Sequence, residues 1–210
     1  RWGVEVHWVE YAGKKTWKRV NYETASRNGK PFEILIEERK YLPNPVTRFC
    51  TVEMKIRSMD RYAIQGLGFE DGHTEVVGLR YDEPHRVHRI KANKRANEVS
   101  CPMFWAKHSI DHVGAFWSQQ DFKLEIPRAL GNCVGCFLKG RDKLEWIAKD
   151  SPETLEWWAR QEEKLIGNQG TKSGRFRSDR PSYRGMLKMA ASQQTFDFQD
   201  SDTLPCHCTE

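Results

Sequence analysis

Val4, Val6, Trp8 and Val9 alternate with polar residues near the start of the chain, and this period of two predicts a strand over Trp2–Tyr11. A polar run, Gly13 to Lys15, follows, and then an aromatic and basic stretch around Trp17, Arg19 and Tyr22. Phe32, Ile34, Leu35 and Ile36 predict a short helix ending near Arg39 and Lys40. Pro43-Asn44-Pro45 must be a loop, because each proline holds the residue before it out of the helical region. Thr47 to Thr51 then opens a helix with Val52, Ile56, Met59 and Ala63 on one face and Lys55 and Arg57 off it.

Further along, Glu75 to Leu79 reads as a short buried strand running into Gly78-Leu79-Arg80. Ser109 is placed to cap a helix carrying Ile110, Val113, Phe116 and Trp117. Ser151-Pro152-Glu153 is the clearest helix start: serine caps, proline suits the first turn and glutamate complements the dipole. Leu155, Trp158, Ala159 and Leu165 give that helix its apolar face. Beyond Gly167 the chain is basic and irregular, and it closes on an acidic, Gln-rich tail with Cys206-His207-Cys208.

Strands alternating with helices predict an α/β fold with a mostly parallel sheet over residues 1–150. Residues 151–210 are expected as a C-terminal helical and irregular appendage: a helix, a basic loop and a cysteine-bearing tail. The chain starts at Arg1 with a strand already under way, so a segment upstream of it is expected.

Eight Trp and ten Phe among 210 residues are too many apolar rings for a disordered chain. A net charge of +5 favours an anionic partner, a nucleotide or a nucleic acid. No stretch approaches the ~18–20 apolar residues of a membrane span, and no secretory core is visible, so a cytoplasmic protein with no membrane partner is expected. The six cysteines fall as Cys133-x-x-Cys136, Cys206-x-Cys208 and single Cys50 and Cys101, a pattern of ligation or redox chemistry more than of a disulfide scaffold.

Cys133-Val134-Gly135-Cys136 places two thiolates where one ion or cluster can take both, with Gly135 letting the loop bend. Further donors must come from Cys50, Cys101, Cys206, Cys208 and His207. Cys50 is favoured because it sits where a loop enters a helix, whose N-terminus stabilises thiolate. Cys101, before Pro102 and Met103, is expected in the core. Iron–sulfur and zinc are both open on these residues alone.

The loop from Gly78 to Arg86 follows a predicted strand, the end at which open α/β sheets bind ligands. Gly78, Arg80, Glu83, Arg86 and Arg89 form the candidate nucleotide-binding set, with the arginines suited to phosphate or sulfate oxygens. The plain alternative is a solvated basic loop. Arg175 to Tyr183 interleaves basic and aromatic residues, as a nucleic-acid surface or a docking segment would, and docking is favoured.

Together these pieces resemble the phosphoadenosine phosphosulfate reductase family of the adenine-nucleotide α-hydrolase (PP-loop) superfamily, in its compact phage and bacterial form. The resemblance is carried by Pro43 to Thr51, Lys55-Ile56, Val77 to Arg80 with Asp82-Glu83, Asp111 to Val113 with Phe116-Trp117, and Gly131 to Cys136. It implies a doubly wound sheet holding an adenine nucleotide (ATP or phosphoadenylyl sulfate) and Cys50, Cys133 and Cys136 as ligands of a [4Fe–4S] cluster. It also implies Lys55 near cluster and substrate, and Arg80 on the anionic end of the nucleotide. Zinc is the alternative metal. The family's phosphate-binding loop is absent from this sequence. The family's nucleophilic cysteine stands in a Glu-Cys-Gly context, where this chain has Pro205-Cys206-His207-Cys208. Cys206 is assigned as the fourth ligand and Cys208 as the catalytic thiol, with Lys55 and Arg80.

Three functions follow from these readings. The first is sulfonucleotide reduction or related ATP-dependent sulfur chemistry beside the cluster, with a thiol reductant as partner. The second is an ATP pyrophosphatase that modifies a nucleic acid held by Lys172 to Arg180. The third is a non-catalytic zinc module that binds protein or nucleic acid. A homodimer is compatible with each.

Overall fold

The computed structural model describes residues 3–92, 98–122, 125–131, 133–166 and 174–192. The described residues form two compact units, one from the stretches up to Arg61 and from Pro127 onward, the other from Tyr62–Ile126.

The first unit opens with an antiparallel hairpin, β1 (Trp8–Gly13) and β2 (Thr16–Val20), in register Trp8↔Val20 and Tyr11↔Trp17. The expected strand from Trp2 therefore starts later, and Val4 and Val6 are exposed. The connection is a two-residue turn, Lys14-Lys15, with φ of 47° and 59°. Turns that match the twist of a hairpin need this left-handed backbone, which Asn-Gly supplies cheaply and which costs other residues roughly 1–2 kcal/mol each. Tyr11 compensates by packing with Leu35 and Phe49 in a small core.

Helix α1 (Lys30–Arg39) forms where its apolar residues predict and ends on Lys40, whose left-handed φ of 58° lets its N–H reach the Ile36 carbonyl. Leu35 faces the hairpin core and Ile36 the main core, so α1 separates the two. Gly29, at φ 77°, is held against Trp157, where a Cβ would come within 2.6 Å of the indole.

The helix predicted after Thr47 is α2 (Phe49–Thr51), continuing through a π-helical stretch, Val52–Ile56, into α3 (Arg57–Leu67). The wide turn changes which side faces inward. Thr51, Glu53 and Ser58 are buried, while Met59 is 60% exposed, so the expected Val52/Ile56/Met59/Ala63 face is not the one that packs. Ser58 Oγ donates to the Glu53 carbonyl five residues back, at 2.8 Å.

The main core gathers Ile36, Leu42 and Phe137 with α7 (Arg141–Asp150), α8 (Glu153–Ile166) and α9 (Tyr183–Ser192). Leu155, Trp158 and Ala159 of α8 sit in it as their spacing predicts, although the Ser151 hydroxyl donates to Asp150. The described residues beyond 150 thus share a core with the start of the chain.

The second unit holds one β–α–β element: β3 (Thr74–Val76), α4 (Pro84–Ala92) and β4 (Glu98–Ser100), the strands parallel with Glu75 opposite Val99. Leu79, Val87, Ile90 and Cys101 form its core. A short helix α5 (Pro102–Trp105) leads to α6 (Ile110–Ser118), which starts at the expected Ser109 in a capping box with His112. Its apolar residues Ile110, Phe116 and Trp117 are nonetheless largely exposed. Among the described residues each sheet has two strands, and the doubly wound sheet is not seen in them. No described helix is long and apolar enough to cross a membrane.

Candidate metal centre and arginine loop

Cys50 lies in the first turn of α2 and is half-buried, packed against the main core. Cys133 and Cys136 lie on a tight turn, the Cys136 N–H donating to the Cys133 carbonyl at 3.1 Å. Cys133 is exposed and Cys136 is buried. Burial pushes the Cys50 thiol up, and the Cys133 sulfur raises it further while Thr51 draws it down. The fold therefore brings Cys50 and Cys133, 83 residues apart in sequence, within electrostatic reach.

The loop that carries the pair is clamped from the C-terminal side. Gly135 lies flat on Trp158, where a Cβ would stand 2.3 Å from the ring. The Tyr183 hydroxyl donates to the Gly135 carbonyl. Arg180 donates from Nη2 to the Phe137 carbonyl at 2.9 Å and from Nη1 to the Lys139 carbonyl at 3.0 Å. The buried Lys139 reaches the Ala129 carbonyl. Glu162, 2% exposed, accepts the backbone N–H groups of Phe176 at 3.2 Å and Tyr183 at 2.7 Å. Burial pushes its carboxyl up and those two N–H groups pull it back. Trp158 stacks on Tyr183, and Phe137 on Phe176. The stretch read as a docking or nucleic-acid segment thus inserts Phe176 and Tyr183 into the chain's own core, while Arg177 pairs with Asp179.

The three sulfurs do not all lie within 4.8 Å of one another. Thiolates on one tetrahedral zinc at ~2.3 Å each sit about 3.8 Å apart, so zinc would have to draw them together. A polynuclear cluster spreads its ligands over several metal atoms and so takes thiols that stand farther apart than those on one ion. Cys206, Cys208 and His207, and the Lys172 end of the basic stretch, lie outside the described residues. Lys55 is exposed on the π-helical stretch that follows Cys50. Cys101 is 2% exposed in the core of the other unit.

In the second unit the loop after β3 arranges its charges inward. Arg80 holds Asp82 through Nε at 3.0 Å and Nη2 at 3.3 Å, and its backbone N–H donates to Glu83 Oε2 at 3.2 Å. The paired Arg80 guanidinium keeps the Asp82 carboxyl below its ordinary range. Glu83, buried, also pairs with Arg86. The sequence reading assigned Arg80 and Arg86 to an anion; here both already carry a carboxylate, and Glu83 organises the loop. Arg89 and Gly78 are exposed. A Cβ at Gly78 would meet only the Met103 sulfur, at 3.8 Å, so packing does not demand glycine there.

The supports of the cysteine loop, Trp158, Glu162, Arg180 and Tyr183, were not singled out as site residues from sequence. Arg180 and Tyr183 fell in the segment given a docking role, which was the available signal.

Comparison with known proteins finds one similarity to report. The chain is 30% identical over 139 residues, 66% of its length, to the uncharacterized nin region protein ORF290 of Escherichia phage lambda. The match covers 45% of that protein, so the chain spans less than half the length of its relative. No family model matches, and no solved structure matches.

Proposed function

We propose that this chain belongs to an enzyme that acts on an adenine nucleotide and carries a thiolate-ligated [4Fe–4S] cluster, on the pattern of the sulfonucleotide reductases. The observation that carries the reading is that the fold brings Cys50 within electrostatic reach of Cys133, which stands on a loop whose backbone is fixed by Trp158, Arg180 and Tyr183. A rigid loop is what a metal site requires, because its ligands must be held in place by groups outside the first coordination sphere. Cys50, Cys133 and Cys136 would hold the cluster, and the remaining position falls to the tail thiols, Cys206 first. The cluster supplies redox or electrostatic chemistry when bound.

The chain's own contribution is to bind and orient the nucleotide. The β3–α4–β4 element offers the strand end at which parallel sheets take nucleotides. Arg80 there keeps a guanidinium 24% exposed, and an incoming phosphate or sulfate would compete with Asp82 for it. Lys55 adds an exposed cation in the cysteine unit.

The experiment is iron and acid-labile sulfide analysis of anaerobically purified Cys→Ser variants. Cys50→Ser, Cys133→Ser and Cys136→Ser should each lose iron and sulfide together, and Cys101→Ser should keep both. Full iron in the three variants would defeat the assignment.

A further inference from the structure

Apart from the cysteines, the first unit has a cleft of about 470 Å3 between the hairpin turn (Lys14, Lys15), the end of α1 (Glu38, Arg39), and Glu53 of the π-helical stretch with Arg57 at the start of α3. Its floor is the Glu53 carboxylate, 2% exposed, which accepts Arg39 Nη2 at 2.7 Å and Arg57 Nη1 at 2.6 Å on the same oxygen. Arg61 Nη2 approaches the other oxygen at 3.5 Å, and its Nη1 is buried with no hydrogen-bond partner among the described residues. One carboxylate cannot neutralise three guanidiniums.

The second acid of the cleft is also spent. Glu38 accepts the Lys14 backbone N–H at 2.6 Å on one oxygen and the Tyr11 hydroxyl on the other. The four cationic side chains that line the cleft therefore face two carboxylates already engaged, and a surplus of positive charge is fixed in one place. Arg39 is further steadied over the Phe49 ring, at 5.7 Å.

The turn itself points the same way. Lys14 and Lys15 both occupy left-handed backbone that asparagine and glycine adopt with less strain. Strain held at a fixed position is characteristic of ligand clamps. The backbone of the turn is pinned to α1 by Glu38, so Lys14 and Lys15 spring from a fixed point on the rim.

We propose that this cleft binds a phosphate group of a small, multiply charged ligand, with Lys14 and Lys15 at its mouth and Arg39 and Arg57 offering their outward N–H groups. Phosphate oxygens accept the several N–H donors that a guanidinium fork and two ammonium groups provide. A small ligand fits better than a nucleic-acid backbone, because the positive charge does not continue along the hairpin. Lys18 is paired with Glu10 at 3.2 Å and Arg19 with Glu5 at 3.1 Å, which leaves no track of free cations for a polymer to follow. The site shares no residue with the cysteine centre or the arginine loop, so it stands or falls independently of them.

The test is calorimetric titration of the full chain with inorganic pyrophosphate at low ionic strength. The informative variant is Lys14→Asn with Lys15→Gly, which supplies the residues the turn prefers and so leaves the hairpin intact. Saturable binding by the parent is expected, weakened at least roughly tenfold in the double variant, where two charge-assisted contacts are lost. Lys18→Ala should bind as the parent does, and the melting temperature of the double variant should equal or exceed the parent's. Absence of saturable binding, or equal affinity in the double variant, overturns the site. A single-stranded oligonucleotide that binds through Lys14 and Lys15 where pyrophosphate does not would overturn the small-ligand assignment.

Discussion

Gly135 and Trp158 are in contact so close that a Cβ on Gly135 would lie 2.3 Å from the indole ring. The glycine sits between Cys133 and Cys136, and the tryptophan lies on α8 within the main core. The spacing of the two thiols is therefore tied to packing on a helix that follows them by about twenty residues. Neither residue carries a thiol, yet both set where the two thiols stand.

Gly135→Ala should lower stability by roughly 1–3 kcal/mol, the usual range for forcing extra atoms into a packed site. Urea unfolding of the purified protein measures it. Tyr183→Phe should also destabilise, by roughly 1–3 kcal/mol, because the Gly135 carbonyl would lose its buried donor. An unchanged unfolding midpoint in both would mean that the loop is not clamped as described.

In the metal-free protein the four described cysteines should react in a fixed order. Cys133 is exposed, Cys50 is half-buried with its thiol pushed up by burial, and Cys136 and Cys101 are buried. Thiolate is the reactive species, so iodoacetamide at neutral pH should label Cys133 first and Cys50 more slowly, with Cys136 and Cys101 protected until unfolding. Mass spectrometry of time-quenched samples reads the order. Early labelling of Cys136 would contradict its burial.

Glu33 on α1 ties that helix to α8 through Lys164, with Lys30 at 3.3 Å as a second partner. The Lys164 hydrogen bond, followed by the Lys30 one, draws the Glu33 carboxyl down to about 2. A pKa depressed on folding stabilises the protein above the ordinary carboxylate value, and that gain is lost as pH falls toward the folded one. Both lysines are about half exposed, so solvent screening limits the pair to about 1 kcal/mol. Glu33→Gln should cost that much at pH 7, and the gap from the parent should close as pH falls from about 4.5 toward 2. A gap independent of pH would assign the effect to packing instead.

What the sequence made legible was local. The α1 boundaries follow from Phe32, Leu35 and Ile36, and the Ser109 helix start from one capping residue. The Cys133/Cys136 pair is visible because its spacing is itself the signal. The hairpin was not foreseen because Lys14-Lys15 lacks the Asn-Gly signature of such turns. The inward face of α2 and α3 was misjudged because a π-helical stretch leaves no mark in the apolar periodicity, and the buried Glu53 takes a position that pattern assigns to solvent. The clamp on the cysteine loop was hidden for another reason. Arg180 and Tyr183 bind backbone carbonyls more than 40 residues away, and a carbonyl acceptor is the same whatever its side chain. The loop after β3 was found, but the pairing of its arginines with Asp82 and Glu83 beside them was not read from the sequence.

The most direct measurement is the visible and electron paramagnetic resonance spectrum of the protein purified under strict anaerobiosis, with its metal content. The cluster reading predicts a brown protein with a broad thiolate-to-iron charge-transfer band that dithionite bleaches, and iron and sulfide in equal amounts. A colourless protein with stoichiometric zinc at Cys50, Cys133 and Cys136 would contradict it.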